Sequence, residues 1–307
     1  MENTRKILSK KVYLRSKYHK MLRRFLLLIV VLMTLASSTS VMAQGINVGI
    51  RAGLNYAQFL GEPTAEEDYG ISGGFHFGVN VGYEISDLFF LRGELLYTQH
   101  GTNYDYSGDG FFIFNIPTNN RFVIKDSTNV SLDISNAYVS FPLTAHVSAL
   151  EKWEFHAGGY FSFLVSPVGV GTWRFGSPEN VNHLFEQGLN FNYNSDLPGE
   201  LDPFATPILI IVDGQDTSVP DLVGAYFLFQ QDRGNLINRI DFGLTAGVSY
   251  FLNRGLYVGL KGWYGLKDLT NNNVDFSLEA LNLDGSFIYS DDFDRNLNID
   301  VSIGFKF

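Results

Sequence analysis

The feature that most constrains this chain is a period of two in its hydrophobicity, repeated in eight long segments. In each segment apolar residues alternate with polar residues or glycine, which is typical of β-strands with one apolar face. Most of the segments hold ten or more residues, long enough for a tilted strand to cross a membrane. The predicted strands are 46–56, 75–85, 89–100, 139–148, 153–163, 239–250, 256–267 and 297–307.

The polar faces of these strands favour a membrane barrel over a soluble sandwich. They are rich in glycine and isolated charges, whereas a sandwich would expose Lys, Glu and Thr. The chain has 31 Gly, 27 Phe and 16 Tyr among 307 residues.

The composition excludes several other classes of protein. The chain has no Cys, which excludes disulfides, thiolate metal sites and a lipidated-cysteine anchor. The net charge of −10 argues against nucleic-acid binding. A mean hydropathy of +0.02 excludes a bundle of membrane helices.

Short and long connections between the strands alternate. Ser86–Asp87, Leu150–Lys152 and Asn253–Arg254 are tight turns, whereas the connections 60–71, 102–134, 172–236 and 268–294 are long. The sequence therefore predicts an all-β fold over 44–307: a monomeric eight-stranded antiparallel up-and-down transmembrane β-barrel with short periplasmic turns and four long external loops. The apolar segments 204–212 and 222–231 are interpreted as strands that run on above the membrane, with the loops packed into an outer cap. Alternatively, residues 204–231 add two strands to make ten, or supply an edge that binds a partner by strand addition.

The first 43 residues have the composition of a cleaved export signal. They carry nine Lys or Arg and one Glu, which leaves a net charge of −18 on the rest of the chain. An apolar run, 25–36, lies between Arg23-Arg24 and a small-residue site that predicts cleavage after Ala43. The run is too short to span a bilayer. Export through the general secretion pathway to the outer membrane follows, and Met21 is an alternative start.

The chain ends on an aromatic strand in which Phe305 and Phe307 share one face. Such a strand is similar to the C-terminal signal that barrel-assembly machinery reads in outer-membrane proteins. Five segments resemble the PorT-type outer-membrane β-barrel family of Bacteroidetes-like bacteria. They are 49–55 (GIRAGLN), 77–83 (FGVNVGY), 91–98 (LRGELLYT), 138–143 (YVSFPL) and 303–307 (IGFKF). The resemblance implies a fold and a compartment, and its members do different jobs.

The alternation also predicts which charged side chains point into the barrel. An eight-stranded barrel has room only for side chains, and buried charges require partners. We expect an interior ion-pair network, with a gated narrow conduit as the alternative. The predicted inward bases are Arg51, Arg92, Arg239, Lys261 and Lys306, and the acids are Glu84, Glu94, Glu154, Asp241 and Asp300.

The predicted external loops carry the excess negative charge, and each of the four is net acidic. Lipopolysaccharide phosphates repel the acidic side chains of these loops. We therefore expect the loops to extend beyond the phosphates or to share divalent cations with them. Asp291, Asp292 and Asp294 form a candidate Ca²⁺ cluster without the spacing of a calcium loop, which favours a solvated acidic tip.

No catalytic motif, cofactor motif or metal motif is evident. The sequence predicts a non-enzymatic protein with an interaction or structural role, at the cell surface or in an envelope secretion or assembly complex. Its predicted partners are outer-membrane lipid, lipopolysaccharide and an envelope protein at the loops. A narrow channel and an envelope lipid-modifying enzyme or protease are the alternatives.

Overall fold

The structure is a computed structural model that describes residues 45–115, 121–177, 184–212 and 215–307. The predicted export signal, 1–43, lies outside these ranges. No helix in the described ranges is long and apolar enough to cross a bilayer. The strands are β1 (Ile46–Leu60), β2 (Glu67–Glu84), β3 (Phe89–Asn115), β4 (Arg121–Ala149), β5 (Trp153–Phe175), β6 (Phe185–Asn192), β7 (Pro207–Val212), β8 (Gln215–Pro220), β9 (Leu222–Val223), β10 (Ile240–Phe251), β11 (Leu256–Gly265), β12 (Phe276–Leu281), β13 (Phe287–Tyr289) and β14 (Arg295–Lys306).

Eight of these strands form a closed ring of hydrogen-bonded neighbours. Its order is β1, β2, β3, β4, β5, β10, β11, β14 and back to β1. The last strand joins the first in an antiparallel register from Gly49↔Lys306 to Leu60↔Arg295. β5 joins β10 across the longest connection of the chain, from Ile240↔Phe163 to Tyr250↔Trp153. Closure pairs both edges of the sheet, which is how a sheet satisfies its backbone groups in lipid. The all-β prediction is confirmed.

The half of the ring near the short turns has an apolar outside and a polar inside. Outward side chains such as Leu54, Val81 and Leu143 are about half exposed, whereas inward Asn55, Asn80 and Thr144 are buried. A sheet that folds in water would instead bury its apolar side chains and expose its polar ones. A band of outward apolar side chains, here called the belt, is the arrangement of strands that face lipid on one side.

Beyond the belt, the same strands reverse their polarity. On β4, Ser131 and Asp133 point outward, and Leu132 and Ile134 are buried on the inside. β3 and β4 stay paired up to Asn115↔Arg121, so most of the region predicted as the loop 102–134 is strand. This part of the sheet has the polarity of a protein in water, so it lies outside the lipid.

Two β-bulges lie near the level where the interior changes from polar to apolar. On β5, Val165 is an extra residue, because Ala137 pairs with Ser166 and Tyr138 with Leu164. On β2, one extra residue lies between Ile71 and His76. A bulge moves every later side chain to the opposite face. Buried positions on β5 are accordingly even-numbered up to Leu164 and odd-numbered from Pro167.

The ring extends into a packed structure that we call the cap, formed by the described residues of 57–70, 101–137, 166–237 and 268–294. Its core contains aromatic side chains of β3, β5 and β6 together with residues of the long connections. The segment that the ten-strand alternative would add to the ring lies in the cap. There β7 pairs with β8 in a separate sheet, and β9 pairs with β6.

Candidate functional site

The lumen of the ring holds a charged network centred on Glu94. The carboxylate of Glu94 accepts a hydrogen bond from Lys261 Nζ at 2.8 Å and pairs with Arg51 Nη1 at 3.3 Å. Arg51 Nη2 also donates to Asp300 Oδ1 at 2.6 Å, and Trp263 Nε1 donates to Asp300 Oδ2 at 2.7 Å. All of these side chains are buried. The network therefore joins β1, β3, β11 and β14 across the lumen, and its two acids and two bases compensate one another.

A second cluster lies beside it, around Glu154 on β5. Arg92 Nη1 lies 3.1 Å from Glu154 Oε1, and His146 Nδ1 lies 2.7 Å from the same oxygen. His156 stacks on His146 at 4.8 Å, and both of its ring nitrogens are buried without a hydrogen-bond partner. His146, Glu154 and His156 lie close enough together to hold a metal ion. Because Arg92 already neutralises Glu154, this cluster is poorly suited to a further cation.

The remaining predicted interior residues lie elsewhere. Lys306 Nζ pairs with Glu84 Oε1 at 3.3 Å at the short-turn end, where both side chains retain exposure. Asp241 is buried and forms no salt bridge with a basic side chain in the described structure. Its carboxylate instead accepts hydrogen bonds from Tyr160 at 3.1 Å and from Asn296 at 2.9 Å. The prediction that Arg239 points into the ring is wrong: its side chain is exposed, and the residue precedes β10, which begins at Ile240. Alternation counted one residue past the strand end does not predict orientation.

Space among the lumen side chains is scarce. The cavity between Arg51, Arg92, Glu94, His156 and Lys261 measures about 10 Å³, close to the minimum for one water molecule. Inward glycines make room for the larger side chains. A Cβ on Gly247 would lie 2.6 Å from the His156 ring, and one on Gly304 would overlap the Tyr257 ring. The lumen is thus filled by its own side chains at this level.

The predicted assembly signal lies on the outside of the ring. The rings of Phe305 and Phe307 are 5.1 Å apart, and both side chains are exposed. The Phe307 N–H donates to the Val48 carbonyl at 2.8 Å, so pairing with β1 continues to the last residue. Both rings therefore belong to the belt.

The cap contains a larger cavity of about 170 Å³. Its walls are mainly aromatic and aliphatic, and they come from strands β1 to β6 and from the connections between β5 and β10 and between β11 and β14. The charged side chains that line it are all acidic: Glu67, Asp275 and Asp294. Both carboxylate oxygens of Glu67 accept hydrogen bonds: Tyr104 Oη donates to Oε1 at 2.9 Å, and the Thr64 N–H donates to Oε2 at 3.0 Å.

Asp275 and Asp294 form an acidic cluster with Asp292, in which the carboxylate oxygens lie within 4.8 Å of one another. Asp294 is fully buried: Thr270 Oγ1 donates to its Oδ2 at 3.0 Å, and its Oδ1 has no hydrogen-bond partner. The prediction of a solvated acidic tip at 291–294 is therefore corrected, although Asp291 is exposed. No pattern in the sequence joins Asp275 to this cluster, because the hairpin β12–β13 separates them.

Burial and neighbouring acids raise the pKa values of this cluster. Desolvation, followed by repulsion from Asp292 and Asp294, raises the pKa of Asp275 to about 8. Desolvation and Asp292 raise the pKa of Asp294 to about 7. At pH 7 the carboxyl group of Asp275 is therefore mostly protonated and that of Asp294 about half protonated.

These raised pKa values predict that the cap loosens as pH rises. Unfolded aspartate titrates near pH 4, so the folded cap binds these protons more tightly than the unfolded chain does. The stabilisation is complete below about pH 4 and is lost as pH rises through 7 to 8. We expect hydrogen exchange in 270–294, corrected for intrinsic rates, to be several-fold faster at about pH 9 than at about pH 5. Asp275→Asn should reduce that difference, and equal protection at both pH values would contradict the prediction.

A family model described as "Outer membrane protein beta-barrel domain" matches residues 39–271, most of the chain. The chain belongs to this family. The closed ring and the outward apolar belt agree with that membership, which places the protein in the bacterial outer membrane. Among curated proteins, none matches the chain.

Solved outer-membrane proteins show distant likeness. Neisserial surface protein A shares 12% identity over 86% of this chain and 100% of its own, with a TM-score of 0.34. Ail, the attachment invasion locus protein of Yersinia pestis, shares 11% identity over 86% of this chain and 100% of its own, with a TM-score of 0.33. The outer membrane protease OmpT of Escherichia coli shares 11% identity over 87% and 97%, with a TM-score of 0.28. At these scores the family assignment rests on the family model.

Proposed function

We propose that this chain is a non-enzymatic outer-membrane protein of the PorT type, which holds its acidic cap at the cell surface and binds an envelope protein in a secretion or assembly complex. The observation that carries the proposal is the contrast between the two halves of the molecule. The lumen is filled by ion pairs, with space for about one water beside Glu94. The cap, in contrast, is a packed structure with its own apolar core.

The route to that location is part of the proposal. The signal at 1–43 directs export and is removed after Ala43, and barrel-assembly machinery recognises the strand that ends in Phe305 and Phe307. The belt then lies in lipid, and the acidic cap rises clear of lipopolysaccharide phosphates. The carboxylates of the loops favour that separation because like charges repel.

The hairpin β7–β8 is the part of the cap best suited to a protein partner. Its two strands pair with each other in a sheet of their own. Leu209 is 80% exposed and nearby Phe204 is 83% exposed, whereas Ile210 is buried on the opposite face. An exposed apolar strand at a sheet edge is a surface to which a partner strand adds.

Site-specific photo-crosslinking in intact cells tests this role. A crosslinker at position 209 should capture one envelope protein, and the same group at fully exposed Leu283, in the β12–β13 turn, should not. Leu209→Lys should reduce co-purification of that protein at least about tenfold if the side chain is an interface anchor. Equal capture from both positions, or stable conductance of the purified protein in planar bilayers, would contradict the proposal.

A further inference from the structure

The cavity in the cap combines an aromatic wall with an acidic end. Its aromatic lining residues come from six strands or strand ends and from the segment after β9. They include Phe59, Tyr69, Tyr104, Tyr226, Phe229 and Phe276. No Lys, Arg or His is among the described lining residues. The cavity is therefore apolar over most of its wall and acidic at one end.

The aromatic rings support one another, which gives the wall a defined shape. Tyr69 lies 5.5 Å from Tyr104 and 6.3 Å from Phe59, measured between ring centroids. In a second group of lining rings, Phe229 lies 5.4 Å from Phe276 and 6.2 Å from Tyr226. The faces of such rings carry negative potential, so they attract cations as the carboxylates do.

The acidic end is not compensated within the described structure. None of the salt bridges there includes Glu67, Asp275 or Asp294. Asp294 is fully buried, and its Oδ1 lacks a hydrogen-bond partner although the residue lines the cavity. A buried carboxylate oxygen without a donor is costly and is normally satisfied. The carboxylate of Asp294 thus lacks one hydrogen-bond donor, and no basic side chain is among the described residues that line the cavity.

We propose that this cavity binds a small organic cation, an ammonium group carried on an apolar body. A cavity of about 150 Å³ accommodates benzene in another protein, so the volume of about 170 Å³ suits a ligand of about seven non-hydrogen atoms. The ammonium group lies against Asp275 and Asp294, and the apolar part fills the aromatic walls. This site is separate from the exposed hairpin and goes beyond the proposed function.

Other classes of ligand fit the lining less well. An anion finds no basic side chain among the described lining residues, and a neutral apolar molecule leaves the acidic side chains without a positive partner. A bare divalent cation can satisfy the acids but leaves the aromatic walls uncovered. A bound ammonium group would favour the charged forms of Asp275 and Asp294 and would therefore lower their raised pKa values.

Calorimetry on the full folded chain in detergent tests the proposal with a matched pair of probes. Choline carries the charge, and 3,3-dimethylbutan-1-ol is its neutral isostere of the same shape. We expect choline to bind at one site and at least about tenfold more tightly than the alcohol, because a desolvated cation–π contact alone is worth about that factor. Equal binding of the two, or binding of Ca²⁺ without binding of choline, would overturn the proposal.

Two variants locate the binding in this cavity. Asp275→Asn removes one charge with little change in volume and should weaken choline at least about tenfold, by analogy with other buried charge pairs. Asp291→Asn, an exposed acid of the same connection that does not line the cavity, should leave the affinity unchanged. Equal loss in both variants would overturn the site. Heat-dependent electrophoretic mobility verifies folding, and the probe pair on the unmodified chain remains decisive if a variant does not fold. No envelope partner is needed, so a negative result here leaves the proposed function intact.

Discussion

Replacing Glu94 with glutamine is expected to destabilise the folded protein by about 3–5 kcal/mol. Glu94 is the carboxylate nearest to Lys261 Nζ, at 2.8 Å, and it also pairs with Arg51. Its neutralisation leaves Lys261 charged and unpaired in a lumen that has almost no space for water. The measurement is urea unfolding of the detergent-folded protein, followed by circular dichroism.

Glu84→Gln is the matched control for this experiment. Glu84 also pairs with a lysine, Lys306, at 3.3 Å, but its side chain is 49% exposed at the short-turn end. Exposed pairs contribute about 0–1 kcal/mol, so this variant should unfold nearly as the parent does. Lys261→Met in the Glu94→Gln background should recover part of the loss, because it removes the orphaned charge. Equal effects of the two glutamine variants would show that burial of the network does not matter.

Replacing Phe112 with alanine is expected to cost the cap about 3–5 kcal/mol. Phe112 is almost completely buried, and its ring lies 4.7 Å from Phe114, 5.4 Å from Trp173 and 4.9 Å from Phe185. The change leaves a void between β3, β5 and β6. Limited proteolysis should then cleave the cap readily while the ring keeps its electrophoretic mobility.

Phe204→Ala is the control for the cap variant, because it deletes the same side chain at an exposed position. Phe204 is outside the core, so its removal should leave the rate of proteolysis unchanged within about twofold. If Phe112→Ala instead unfolds the ring together with the cap, the two form one cooperative unit and the prediction fails.

Much of the ring is predictable because lipid and closure act on every strand in the same way. A strand with lipid outside and a filled lumen inside must alternate, so counting from apolar neighbours assigns Arg51, Glu94 and Lys261 to the interior, and all three side chains are buried. Counting fails where that environment ends. Arg239 precedes β10, which begins at Ile240, and the bulge at Val165 interrupts the period of two on β5.

The cap is less predictable because its polarity is reversed and its contacts span the sequence. The outer faces of its strands are polar. A search for strands with an apolar outer face therefore assigns these segments to loops. Asp275 and Asp294 meet only because the hairpin β12–β13 folds back between them. Short-range patterns carry no information about such pairs.

The amino-acid sequence alone determined the all-β class of fold and the alternation of apolar and polar side chains along the strands of the ring. These follow from a local period of two, and the surroundings of each strand impose that period. Only the tertiary structure decided which charges pair, where the polarity reverses, and that the acidic connections enclose an aromatic cavity. Those features depend on distances between residues far apart in the chain, which closure of the ring and packing of the cap establish.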